Sequence, residues 1–113
     1  MGQSAAPPKG ANAVAAIPAS LHGQWGMTPG DCDVSTGAAK GHLVVSRDGL
    51  RFFESRAVPV ANAETSDKSF SADFAFSGEG QNWEKYQALM LDDDRLVRTE
   101  SSPMASFIYA RCR

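Results

Sequence analysis

Apolar and polar side chains alternate along much of the chain after residue 20. The clearest case lies in residues 69–77, where Phe70, Phe74 and Phe76 alternate with serine and aspartate. A period of two places every second side chain on the same face of a β-strand. The pattern therefore predicts a strand with one apolar face and one face in water, as in an antiparallel sheet.

Other stretches with strand character recur at the spacing of hairpins, and turn residues separate them. Asp48 and Gly49 form the strongest turn signal, because both residue types tolerate the positive φ of a tight hairpin. No stretch has the length and period of a long helix. The predicted strands cover residues 21–27, 42–46, 50–55, 58–65, 69–77, 83–91, 95–100 and 104–111.

About eight short antiparallel strands predict an all-β fold that must bury an apolar face and hide its edges. An up-and-down β-barrel meets both needs, and a two-sheet sandwich is the alternative. Cys32 lies just after the first predicted strand and Cys112 at the end of the last one. Because the first and last strands of a barrel are neighbours, a bond between these cysteines favours a small antiparallel up-and-down barrel closed by one disulfide.

The two cysteines also bear on stability and compartment. A disulfide that closes a loop of this length stabilises a domain by ~4 to 5 kcal/mol in the chain-entropy model. Such a bond indicates an oxidising compartment. The alternative is a pair of unrelated buried thiols.

Residues 1–19 are rich in alanine and proline and have almost no charge and no apolar period. We predict a disordered linker over residues 1–19 and a barrel domain over residues 20–113, since such a tract cannot bury enough surface to order itself. A short helix over residues 11–16 is the competing interpretation. The tract resembles the start of a mature bacterial lipoprotein, with Met1 standing where a lipid-bearing cysteine was removed.

Composition excludes several function classes. The net charge is −2 and the eleven Lys and Arg residues are scattered, which gives no case for a nucleic-acid partner. No apolar run approaches the ~20 residues of a membrane helix, so we expect membrane association only through a lost N-terminal lipid anchor.

Catalytic and metal-binding motifs are not apparent. His22 and His42 lie outside any hydrolase motif, and with two cysteines they lack a recognised zinc spacing. The run Asp92, Asp93 and Asp94 lacks the spaced ligands of a calcium loop and is typical of a solvated hairpin tip. We therefore predict a protein that is not an enzyme and has no cofactor, metal site or catalytic residues.

Four resemblances add expectations about fold and partner. Leu21, Gly23 and Trp25 resemble the first strand of lipocalin-like barrels, in which the Trp plugs one end. With Cys32 nearby, the same stretch is similar to small periplasmic inhibitors of serralysin-type metalloproteases, which are eight-stranded barrels. The stretch 77–80 before Trp83 resembles the Ser-Gly loop of lysozyme inhibitors, and residues 20–113 as a whole resemble short envelope proteins of Gram-negative bacteria.

These observations predict a periplasmic, lipid-anchored, monomeric protein-binding module that acts as an inhibitor of an envelope hydrolase such as a protease or a lysozyme. A carrier of a small apolar ligand and a structural envelope lipoprotein are the alternatives, and we expect aromatic side chains to fill the barrel rather than leave a calyx. The predicted binding element is a flexible loop over residues 77–82, for which a plain solvated connection is the alternative. Its candidate contact residues are Ser77, Gly78, Glu79, Gly80 and the neighbouring Trp83.

Overall fold

The computed structural model describes residues 15–113, and residues 1–14 of the predicted linker lie outside this range. Within the described range, eight antiparallel strands form one closed barrel, in which consecutive strands pair and the first strand also pairs with the last. The predicted up-and-down barrel is therefore confirmed, and the sandwich alternative is wrong. The strands are β1 Gly23–Gly26, β2 His42–Val45, β3 Leu50–Arg51, β4 Arg56–Thr65, β5 Ser69–Gly78, β6 Gln81–Asp92, β7 Arg95–Glu100 and β8 Ala105–Arg111.

The strands differ greatly in length. The β5 and β6 strands have 10 and 12 residues, whereas β3 has only two. The predicted strand over residues 50–55 is therefore too long. The chain turns back at Phe52, whose N–H donates to the Ser55 carbonyl oxygen at 2.7 Å. Within β4 the register shifts between Pro59 and Ala61, as expected where proline cannot donate to the ladder.

Successive hairpins place their connections at opposite ends of the barrel. One end, which we call the closed end, carries the short 3-10 helix Ala19–Leu21. Ile17 lies there with 1% of its surface exposed, and its N–H donates to the Arg47 carbonyl oxygen at 3.0 Å. The predicted linker boundary at residue 19 is therefore wrong at its inner end, because Ile17 belongs to the core. The other end, which we call the mouth, carries the connections 27–41, 52–55, 79–80 and 101–104.

The barrel interior is filled by large side chains. Phe70, Phe74 and Phe76 are buried as their alternation predicts, and Phe52 faces inward whereas Phe53 is 39% exposed. Burial of apolar surface of this kind is the main favourable contribution to folding. The largest fully buried side chains belong to Trp25, Tyr109, Phe70, Phe74, Ile17, Leu21, Leu43, Leu89, Leu96, Gln87 and Val45.

The barrel closes where β1 meets β8, and we call this contact the seam. Only two residue pairs form it, Trp25 with Arg111 and Gly26 with Ala110. The predicted disulfide Cys32–Cys112 is confirmed and joins residues 80 positions apart beside these pairs. A covalent bond thus reinforces the contact that closes the barrel, which joins strands far apart in sequence.

Cys32 is the last residue of the short helix Pro29–Cys32, and hydrogen bonds of Asp31 fix this helix. Asp31 accepts hydrogen bonds from the N–H groups of Thr28 and Gly41, both at 3.1 Å. The bond from Gly41 is the main reason that the pKa of Asp31 is lowered from its ordinary value. A side chain at Gly41 would collide with the Asp31 carboxylate. The helices of the described chain are single short turns, and none has the length or hydropathy of a membrane span.

Candidate functional site

The stretch predicted as a flexible loop is a tight hairpin. Glu79 and Gly80 alone form the turn, with φ of 50° and 77°, the left-handed conformation at both positions that characterises the commonest two-residue hairpin turns. Ser77 and Gly78 belong to β5, and Gly78 pairs with Gln81. The prediction of a loop over residues 77–82 is therefore wrong in extent, because two residues with positive φ suffice to join the strands.

The β5–β6 hairpin extends beyond its neighbour β7. Strand pairing between β6 and β7 runs only from Gln87 to Asp92. Residues 81–86 therefore have β5 on one side and, within residues 15–113, no strand on the other. Trp83 lies on the inner face of this segment and is 40% exposed, while Tyr86 lies on the outer face and is 38% exposed.

A series of stacked side chains leads from Trp83 into the barrel, and we call it the mouth ladder. The Trp83 ring stacks on Phe76 with centroids 5.3 Å apart, and Phe76 stacks on Phe52 at 5.8 Å. Arg98 lies next, with its guanidinium carbon 4.8 Å from the Phe52 ring centroid and 4.3 Å from that of Phe107. Exposure falls from 40% at Trp83 to 6% at Arg98. An exposed aromatic ring is thus connected to a buried cation.

Three side-chain acceptors bind the buried Arg98, and one of them, Glu100, carries the opposite charge. Its Nε donates to the Tyr109 hydroxyl at 3.0 Å, and its Nη1 donates to Gln87 Oε1 at 2.8 Å and Glu100 Oε1 at 2.9 Å. Lys85 Nζ donates to the other Glu100 oxygen at 3.2 Å. Because a buried charge is costly unless it is paired and hydrogen-bonded, this network accounts for the presence of a cation inside the barrel.

Two pKa values respond to this environment. Burial acts to raise the pKa of Glu100, but the hydrogen bonds from Gln87 and Lys85 and the charge of Arg98 outweigh it and lower that pKa below the ordinary value. Burial raises the pKa of Tyr109, partly against the influence of Arg98. At neutral pH the network therefore holds an ionised carboxylate and a neutral phenol, and both fix the position of the guanidinium.

Sequence reasoning found one end of the ladder and missed the other. Trp83 was predicted as a contact residue, whereas Arg98 and Glu100 were not. The available signal was the period of two in β7, which places Leu96, Arg98 and Glu100 on the same face. Two charged residues in phase with a buried leucine indicate a polar group inside the barrel.

The other candidate groups lie apart from the mouth ladder. His22 Nε2 is 2.7 Å from the Ile17 carbonyl oxygen, and Asp93 lies in the exposed β6–β7 turn. Among residues 15–113, no three His, Cys, Asp or Glu side chains are grouped in a way that would hold a metal ion. Neither protein-family models nor curated proteins nor solved structures gave a match to the chain.

Proposed function

We propose that the protein is a periplasmic protein-binding module that engages its partner with the tip of the β5–β6 hairpin, and that it inhibits the partner where the partner is a hydrolase. The observation that carries the proposal is the exposed Trp83 at the outer end of the mouth ladder. Tryptophan is among the residue types that contribute most to protein–protein binding when a partner buries them.

The rigidity of the tip supports this role. Trp83 already stacks on Phe76, and its backbone pairs with β5, so little side-chain freedom is left to lose on binding. The turn places the exposed Glu79 at the end of the hairpin. Ser77 lies two residues before it on the outer face. The tip therefore offers an aromatic ring, a carboxylate and a hydroxyl within one rigid hairpin.

Two further features favour this proposal over its alternatives. Large side chains occupy the barrel interior, so an apolar ligand carried inside the barrel would have to displace Phe70, Phe74 or their neighbours. The Cys32–Cys112 bond is compatible with an oxidising compartment, for which we propose the periplasm, with a lipid anchor joined through the N-terminal tract.

The test compares two exposed aromatic residues on the same strand. A partner is captured from envelope extract with the full chain, identified, and titrated against purified variants by calorimetry. We expect Trp83→Ala to weaken binding at least ~tenfold, as for a central aromatic contact, and the double variant Ser77→Ala, Glu79→Ala to weaken it less.

The matched control is Tyr86→Ala, which removes an aromatic side chain of nearly equal exposure from the opposite face of β6. It should change the affinity by less than ~twofold, since residues outside the contact are energetically near neutral. Retained affinity in Trp83→Ala, or equal losses in the two variants, would exclude the tip as the binding element.

A further inference from the structure

Two arginines lie side by side on the outer face near the mouth. Arg51 of β3 is directly opposite Arg56 of β4. Both are exposed, and neither side chain forms an ion pair or hydrogen bond with any residue in the range 15–113. Like charges directly opposite each other destabilise a sheet. A bound anion would therefore reduce the repulsion between the two guanidinium groups.

The same row continues across the next two strands with polar side chains. Ser77 is the register partner of Arg56, and Asn82 is the register partner of Ser77. A surface depression is lined by both arginines, Ser77 and the half-exposed ring of Phe53, with Glu54 at its side. We call the four aligned residues Arg51, Arg56, Ser77 and Asn82 the arginine row.

We propose that the arginine row binds the carboxylates of an acidic segment in the protein partner, an inference that rests on the proposed function and specifies the partner. Neighbouring strands are ~4.8 Å apart, so the row spans ~14 Å across three intervals. That distance corresponds to about four residues of an extended chain. Guanidinium groups match carboxylates with two parallel hydrogen bonds.

The length of the row distinguishes this ligand from a small anion. A single phosphate would contact Arg51 and Arg56 but would not extend to Asn82, whereas successive carboxylates would use the whole row. The row also begins next to the tip that carries Trp83, because Asn82 and Trp83 are consecutive on opposite faces of β6. A partner segment that passes over the tip would thus contact both surfaces.

The test uses a hexaglutamate peptide and the full chain at low ionic strength, followed by calorimetry and NMR. We expect shifts at the side chains of Arg51 and Arg56 and at the amides of Ser77 and Asn82. The double variant R51Q/R56Q should weaken binding at least ~tenfold, since each charge-assisted pair contributes substantially. Its thermal stability should be unchanged or higher, because a like-charge pair is removed.

The matched control R47Q/R95Q removes the same charge from two exposed arginines elsewhere and should change binding by less than ~twofold if the site is local. Equal losses in the two double variants, undetectable binding to the unmodified chain, or inorganic phosphate competing as strongly as the peptide would each overturn the proposal. The experiment needs no natural partner. Its failure therefore leaves the Trp83 result standing, and failure of the Trp83 test leaves this result standing.

Discussion

Each end of the barrel places an arginine against an aromatic ring, but the two arginines have different acceptors. At the closed end, the guanidinium carbon of Arg111 lies 4.2 Å from the Trp25 ring centroid. It donates to the carbonyl oxygens of His22 at 2.8 Å and Ser20 at 3.3 Å. Trp25 itself is fully buried and donates to the Leu21 carbonyl oxygen. Backbone acceptors thus fix the last strand against the chain that precedes the first.

At the mouth, the acceptors of Arg98 are side chains. Gln87, Glu100 and Tyr109 hold the guanidinium, and the stacked rings beyond it end at Trp83, which is 40% exposed. Side-chain acceptors can be changed by protonation or substitution without moving the backbone. The comparison indicates that the closed end stabilises the barrel, whereas the mouth supports an exposed ring from within.

The largest expected effect tests the seam between β1 and β8, next to which Arg111 is bound. Replacing both Cys32 and Cys112 with Ser should lower the free energy of unfolding by ~4 to 5 kcal/mol, because the bond closes a loop across most of the chain. The loss of protection should be greatest at the seam, where only two residue pairs join β1 and β8. Denaturant unfolding and amide hydrogen exchange measure the two effects.

Reduction of the unmodified protein should give the same decrease and serves as the control. The β5–β6 hairpin, with ten register pairs, should keep its exchange protection better than the seam under these conditions. Equal loss of protection at the seam and in the hairpin would contradict a local effect of the disulfide on the seam.

The next effect tests the mouth through its carboxylate. Because the folded-state pKa of Glu100 lies below its unfolded value, its contribution is present above pH ~4.3 and is lost as the pH falls through the folded-state pKa. Glu100→Gln should therefore lower stability by roughly 1 to 3 kcal/mol at pH 7 and reduce the loss of stability on acidification. Thermal unfolding between pH 7 and pH 3 measures both.

Glu84→Gln provides the matched control, since Glu84 is exposed on the outer face of β6. It should leave the unfolding curve at pH 7 nearly unchanged. If the Arg98 network contributed nothing to stability, Glu84→Gln and Glu100→Gln would show the same dependence of thermal unfolding on pH. In that case the charged groups at the mouth would contribute no more to stability than exposed charges elsewhere on the surface.

Much of the fold could be predicted because half-buried strands reveal their environment in a period of two. Phe70, Phe74 and Phe76 show it directly, and the positions of Cys32 and Cys112 indicated the closure. The position of Ile17 could not be predicted, because one apolar residue in an alanine-rich tract has no periodic neighbours. Its N–H donates to the carbonyl oxygen of Arg47, which is 30 positions away, and its side chain packs in the core cluster.

The candidate site was less predictable for a related reason. Trp83 stands out as a large aromatic residue beside a turn, but the ladder behind it joins Phe52, Arg98 and Phe107 from three different strands or connections. Their proximity depends on the register of the barrel, which alternation alone does not specify. The arginine row arises in the same way, from the pairing of β3 with β4.

The smallest effect compares the turns at the two ends. Asp93 in the β6–β7 turn at the closed end has φ of 55°, and Glu79 at the mouth has φ of 50°. Aspartate tolerates this left-handed region better than glutamate, and asparagine followed by glycine suits a two-residue hairpin best. Glu79→Asn should therefore raise the free energy of unfolding by roughly 0.5 to 1 kcal/mol, while Asp93→Asn should change it less.

If Glu79 contacts a partner, the same variant should also weaken binding, which would explain a strained glutamate at the mouth. Unchanged stability in Glu79→Asn would contradict the strain, and unchanged affinity would limit the contact to Trp83 and the arginine row.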